Sequence, residues 1–322
     1  MSSTNTPPRV VALGGGHGLA ATLTALRRLT SDITAVVTVA DNGGSSGRLR
    51  EEFPIMPPGD LRMALAALCS DDEWGRSWAE IMQYRFTSDG TLNGHAVGNL
   101  LLAALWDRDE DTVAGLDRVG ALLKVIGRVL PMAAEALDIE GTFETAHGKI
   151  TARGQVEVAT TQGRLESLRI IPENPGARPE ALAAIADAEW ITMGPGSWFS
   201  SVLPHLLVPA QRNALVQSSA KKILLLNLDS SLPEGSISAG EYAGYSPLEH
   251  LQILHRYAPE LKFDLVVIDE HSTGRTELAE YLSTQGSELL AADLRSSASP
   301  VHHDVEKLGR LFSHIHSEIL VG

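Results

Sequence analysis

One cysteine, Cys69, occurs in 322 residues, so neither an intrachain disulfide nor a Cys-based zinc cluster can form. That usage fits a reduced, cytoplasmic compartment. Positive charge is also short. There are 26 Lys+Arg against 40 Asp+Glu, a net charge of −14. Non-specific nucleic-acid binding depends on Lys and Arg neutralising phosphates, so the balance argues against it, and against docking on an anionic membrane surface. No apolar run approaches the roughly 18 residues needed to span a bilayer. The opening MSSTNTPPR lacks a signal-type apolar stretch and reads as a short disordered arm over residues 1–8. Internal repeats, low-complexity tracts, a G-K-[ST] phosphate loop and a Ser-His-Asp arrangement are all missing.

What remains is ordinary for a packed protein: 43% hydrophobic and 20% charged residues. The length suits two domains or one large one, and a homodimer is the expected assembly. Residues 9–13 (RVVAL) form a β-branched run, followed by GGGHG and then leucines at helical spacing from Leu19 to Leu29. Residues 33–40 (ITAVVTVA) form a second buried strand that runs into DNGGSSGRLR. These 50 residues make a βαβ unit with parallel strands. Helices are expected over 61–69, 74–84, 95–106 and 112–127, within a helical insert at 54–130. Alternating texture over 136–171 (KITARGQVEV and its flanks) predicts an antiparallel meander, an insert at 133–172. The βα alternation resumes over 173–322, with strands at 189–193, 223–228 and 264–269. A capping box at Ser246-Pro247-Leu248-Glu249 opens one helix, and a terminal helix covers 304–320. The pattern predicts a single α/β domain: a three-layer, doubly wound, mainly parallel sheet with two inserts. Ligands bind such sheets at the carboxyl ends of the strands.

Three motifs fall at those ends. Gly14, Gly15, Gly16, His17 and Gly18 place clustered glycines between a strand and a helix, which exposes backbone N–H groups to a phosphate. A tight turn without ligand is the bland alternative. The G-x-G-x-x-G fingerprint fails, because Leu19 takes the third glycine position. Asp41 ends the second strand, where an acid can hold a ribose hydroxyl, or can simply form an Asx turn. Asn42, Gly43, Gly44, Ser45 and Ser46 follow as a second anion- or sugar-suited loop. Arg48 and Arg50 supply local positive charge, or sit on a solvated helix face. Gly194, Pro195, Gly196 and Ser197 make the third strand-to-helix turn.

Other polar residues carry less. Asp60, in PPGD, is explained by an N-cap and equally by a metal or hydroxyl contact. His95 and Asn99 share one helical face across Gly98, a residue that costs about 1 kcal/mol in a helix; helix packing around a satisfied histidine explains them. His302, His303, His314 and His316 read as solvated, and Cys69 as core.

The motifs GGGHGL, TVADNGGSSGRLR, PPGDLRMAL, YRF, GHAVGNLLLAAL, GRVLP, ITMGPGSWFSSVLP and GEYAGYSPLEHL, in this order over nearly the whole chain, resemble the CofD-like superfamily, in its gluconeogenesis-factor branch. The resemblance implies a Rossmann-like α/β/α fold. The superfamily's enzymes move a phospholactyl group from a guanosine-diphosphate donor to a deazaflavin alcohol, with a divalent metal. The gluconeogenesis-factor branch is linked to cell shape and wall synthesis on gluconeogenic carbon, and to uridine-diphosphate sugars. The resemblance places residues 14–18 and 194–197 beside the nucleotide diphosphate and turns Asp41, Ser45 and Ser46 to the cleft. It gives Asp41 and Asp60 the metal and acceptor region if there is transfer, with Mg2+ as the ion. Asn99 and Asn227 would line the pocket. Tyr245 and Tyr281 are assigned to base or sugar contacts, since a nucleobase favours an aromatic face.

The chain departs from the pattern at His17 (usually Thr or Ser), Asn42 (usually Asp), residues 229–237 and Tyr242. A retained glycine scaffold with altered polar groups suits binding better than chemistry. The expectation is therefore a regulator that binds a UDP-N-acetylglucosamine-like sugar nucleotide. The alternative is a phospholactate-type transferase using a GDP-linked donor. A nicotinamide-dependent oxidoreductase rests only on Asp41 and the first loop, and lacks a proton-relay pair.

Overall fold

The computed structural model describes residues 6–109, 111–228, 245–297 and 302–320; residues 1–5, 229–237 and Tyr242 of the reading above lie outside them. Seven strands form one parallel sheet: β1 (Val10–Gly14), β2 (Ile33–Val37), β3 (Arg128–Pro131) and, after a three-stranded antiparallel meander of β4 (Asp138–Thr145), β5 (Gly148–Arg153) and β6 (Arg164–Ile171), β7 (Trp190–Met193), β8 (Lys221–Leu225), β9 (Leu265–Asp269) and β10 (Glu288–Ala292). The sheet order is β10-β9-β8-β7-β1-β2-β3. The three-layer α/β class expected from the sequence is the observed one.

Central strands are apolar on both faces because helices cover both. All five residues of β1 and of β9 are buried. From β1 the chain steps outward to β2 and β3, then returns and steps the opposite way through β7, β8, β9 and β10. Right-handed crossovers therefore put the helices of the two halves on opposite faces. One layer holds α1 (Gly16–Leu26), α2 (Gly44–Glu52), α3 (Pro58–Ala67), α4 (Glu73–Gln83), α5 (Val97–Asp109) and α6 (Thr112–Leu123). The reversal falls between β1 and β7 and makes that crevice the switch point, the place where sheets of this kind bind their ligands.

Several expectations change. Residues 128–131 belong to the main sheet as its edge strand, not to the helical insert; Pro131 is tolerated at such an edge. The alternation of GQVEV is not a strand but a short helix, Gln155–Thr160, started by Gly154. Helix Arg275–Gln285 and β10 complete the second half, and β10 is only partly buried, which weakens its apolar signature. The meander is pinned to the core by Phe143 against Phe199 (ring centroids 6.0 Å apart). The Tyr245 and Tyr257 hydroxyls also accept from Leu165 N and Leu168 N, each at 2.6 Å. Cys69 is buried, as expected. No helix among the described residues is long and apolar enough to cross a membrane.

Candidate functional site at the carboxyl edge

The three glycine motifs meet at the switch point. Gly15 caps α1 in extended backbone, and Gly16 opens the helix at φ 58°. A Cβ on Gly18 would lie 2.1 Å from the Pro195 carbonyl oxygen, so the first and third loops touch backbone to backbone. Asn227 fixes the third loop with both ends of its amide. Its Oδ1 accepts from Gly196 N at 2.9 Å and its Nδ2 donates to Gly196 O at 2.8 Å. Ser197 caps the turn Trp198–Val202, accepting from Ser200 N at 3.1 Å. Beneath β1, buried His205 lies 3.3 Å from Gly14 O through Nε2 and 2.7 Å from Gln211 Nε2 through Nδ1. These partners fit a neutral ring that donates from Nε2 and accepts at Nδ1. Burial holds its pKa down to about 4, which keeps it neutral.

The second loop is tighter than the sequence suggests. Helix α2 starts at Gly44 with Gly43 as its cap, so Ser45 and Ser46 are helical and buried. Ser46 Oγ accepts from Gly59 N at 3.0 Å, which joins α2 to α3. Asp41 Oδ1 accepts from Gly43 N at 2.8 Å, the Asx geometry. Asn42 Oδ1 accepts from Gln155 N at 2.7 Å and so ties the meander to this loop. Arg48 donates to Thr91 O and Asn93 O (3.3 and 2.7 Å), and Arg50 donates to Asp41 O (3.1 Å) and pairs with Asp138 (3.2 Å). Arg48 therefore ties α2 to residues 91–93, and Arg50 braces the loop at Asp41.

Asp60 does not cap α3; Pro57 holds that position. Its carboxylate is buried and takes a hydrogen bond from the Gly16 backbone. Desolvation, then the nearby Asp41 charge, push its pKa up to about 7. Its Oδ2 has no hydrogen-bond partner. Two carboxylates that feel each other's charge, one with an unsatisfied buried oxygen, are suited to a hard divalent cation, so Asp41 and Asp60 fit the Mg2+ that the resemblance implies.

Ser45, Asn99, His95 and Arg62 form one buried polar chain. Arg62 Nε donates to Asn99 Oδ1 at 2.8 Å, Asn99 Nδ2 donates to Ser45 Oγ at 3.0 Å, and Ser45 Oγ lies 3.0 Å from His95 Nδ1. Helix α5 starts at Val97, so His95 precedes it, yet it still converges with Asn99 on one hydroxyl. Gly98 is small because the Arg62 stem crosses it; a Cβ there would lie 2.7 Å from Arg62 Cγ. Sequence reasoning missed Arg62, whose one signal was a cation inside the apolar run LRMALAAL.

Of the two assigned tyrosines, one packs against the turn that follows the third loop and the other between two helices. Tyr245 packs on Phe199 and His250 under the meander, and the Tyr281 hydroxyl meets His255 Nδ1 at 2.8 Å between two helices of the outer layer. The C-terminal histidines differ too. His302 faces His17, with ring centroids 6.3 Å apart. His303, expected to be solvated, has a buried Nε2 without partner and a pKa lowered to about 4 by desolvation. Its neighbour Asp269 is fully buried and accepts from Arg295 Nε at 2.8 Å.

Helices α1 and α2 both start from glycine loops after the adjacent strands β1 and β2, at the carboxyl edge of the sheet in an acidic chain. Such ends attract anions. The molecule is thus a doubly wound α/β protein with an anion-suited cleft at its switch point. Residues 10–318 match the family described as 2-phospho-L-lactate transferase CofD, and the chain belongs to that family. A homologue from Mycobacterium leprae is 50% identical over 273 residues, covering 84% of this chain and 74% of that one. The gluconeogenesis factor of Listeria monocytogenes is 34% identical over 264 residues, covering 82% and 78%. A crystal structure of a UPF0052-family protein from Bacillus halodurans superposes with a TM-score of 0.80 at 30% identity, covering 96% of this chain and 99% of that one.

Proposed function

We propose that this protein is a gluconeogenesis factor that binds a nucleotide-diphosphate sugar, of the UDP-N-acetylglucosamine kind, in the cytoplasm. Binding would regulate cell shape, wall synthesis and carbon partitioning during gluconeogenic growth. The observation that carries the reading is the contact of the first and third loops at Gly18 and Pro195, with α2 starting after the neighbouring strand β2. Backbone N–H groups at helix starts recognise phosphates without chemistry. Asn42 supports binding over transfer, because its side chain is spent on Gln155 N rather than offered as a further carboxylate.

A second reading keeps the phospholactate-type transfer with a GDP-linked donor. Asp41 and Asp60, with the unpartnered Oδ2, favour it, since a bound divalent cation would neutralise diphosphate charge. Calorimetric titration separates the two. Micromolar, magnesium-independent binding of UDP-N-acetylglucosamine is the expected outcome. Binding of GDP alone, and only with magnesium, would replace the first reading with the second.

A further inference from the structure

Arg62 is a cation almost completely withdrawn from water, at 2% exposure. Such a charge costs several kcal/mol unless it is paired and hydrogen-bonded. Here only part of that need is met. Nε is held by Asn99, but Nη1 is buried with no partner. No carboxylate lies within ion-pair distance of this guanidinium among the described residues, although 40 acids are present in the chain. The charges it feels most are those of Arg85, Asp60 and Asp41, and it is felt in turn by His17. Its stem runs through the helix layer between Met82 and Gly98, and its charge acts on Asp60, Asp41 and His17 at the loops.

The support is rigid. Asn99, Ser45 and His95 are all buried and lock one edge of the guanidinium, and the missing side chain at Gly98 gives the stem its path. A planar fork held on one edge with a free donor on the other is how arginine presents itself to a phosphoryl oxygen. A structural arginine would spend every donor on the protein.

We propose that Arg62 is a phosphate-binding residue of the cleft, held ready by Asn99 and Ser45, and that it lets a diphosphate bind beside Asp41 and Asp60 without a divalent cation. The proposal rests on the reading of the cleft as a nucleotide-diphosphate site, and narrows it to metal-independent recognition of the diphosphate itself.

The test uses inorganic pyrophosphate and UDP-N-acetylglucosamine as probes, both in EDTA, against the parent and Arg62→Gln. The parent should bind pyrophosphate, and Arg62→Gln should bind both probes roughly thirty-fold more weakly or worse, the size expected for a lost charge-assisted contact. In parent protein carrying 15N-arginine, pyrophosphate should shift the Arg62 Nε–Hε resonance, a readout that does not depend on the variant folding. A parent that binds neither probe without metal, a variant that binds pyrophosphate as tightly as the parent, or a resonance that stays fixed at saturation each overturns the proposal. Pyrophosphate bound through Arg62 with no affinity for the sugar nucleotide would leave the assignment standing and remove the nucleotide-sugar reading.

Discussion

Asp60→Asn should melt above the parent at pH 8 and close to it at pH 4.5, in metal-free buffer. In the folded chain the Asp60 carboxyl keeps its proton until about pH 7; in the unfolded chain it gives it up near the ordinary value of 3.8. Between those values the folded state binds more protons, so raising the pH favours unfolding. The penalty is absent below about pH 4, grows across the window and is complete above about pH 7. Its size is of order 2–4 kcal/mol, dominated by desolvation of a fully buried charge. Asparagine keeps an oxygen for the Gly16 N–H and carries no charge to desolvate. The check is the difference in Tm between the two proteins as a function of pH, since other titrating groups cancel in the difference. A difference that does not change with pH would mean that Asp60 is ionised throughout and that water or an ion reaches it.

Gly18→Ala should lower stability by about 2–4 kcal/mol and part the first and third loops. Gly18 is helical, so alanine would ordinarily gain about 1 kcal/mol there. The new Cβ would instead lie 2.1 Å from the Pro195 carbonyl oxygen and 2.9 Å from Gly196 Cα, both backbone atoms that cannot rotate away. The clash is larger than the propensity gain, and the two loops must part. Gly44→Ala is the control. Gly44 sits at φ 48° with nothing within 4 Å of a Cβ, so only the cost of left-handed backbone, about 1–2 kcal/mol, applies, and the contact between first and third loops survives. Chemical denaturation of both variants measures the difference. Equal losses would show that the contact at Pro195 carries no special strain.

These two predictions depend on features of different legibility. Strands β1, β2, β7, β8 and β9 could be read because a parallel, doubly covered strand must be a continuous apolar run. The short edge strand RVLP and the half-buried ELLAA lack that mark, and neither is legible as a strand in the sequence. GQVEV alternates like a strand, but Gly154 before it and Asn42 on its first free N–H make it a helix. The glycine loops were legible for a local reason, since strand, turn and helix follow within a few residues. The chain from Arg62 to His95 was not, because residues 45, 62, 95 and 99 meet only when α2, α3 and α5 pack together. The tyrosine assignments came from the chemistry of aromatic faces and carried no information about which layer those residues occupy.

The central claim is that an anionic nucleotide lies across the three loops at the β1–β7 switch point. Hydrogen exchange read by mass spectrometry, with and without saturating UDP-N-acetylglucosamine in EDTA, tests it most directly. Exchange should slow in residues 14–18 and 43–47 together, because ligand oxygens would meet the helix starts of α1 and α2 at once; residues 194–197 should change little, since Pro195 has no N–H, Gly194 N bonds Leu13 O and Gly196 N bonds Asn227. Protection confined to another surface, such as the groove between α6 and β3 lined by Lys124 and Arg128, would contradict the account.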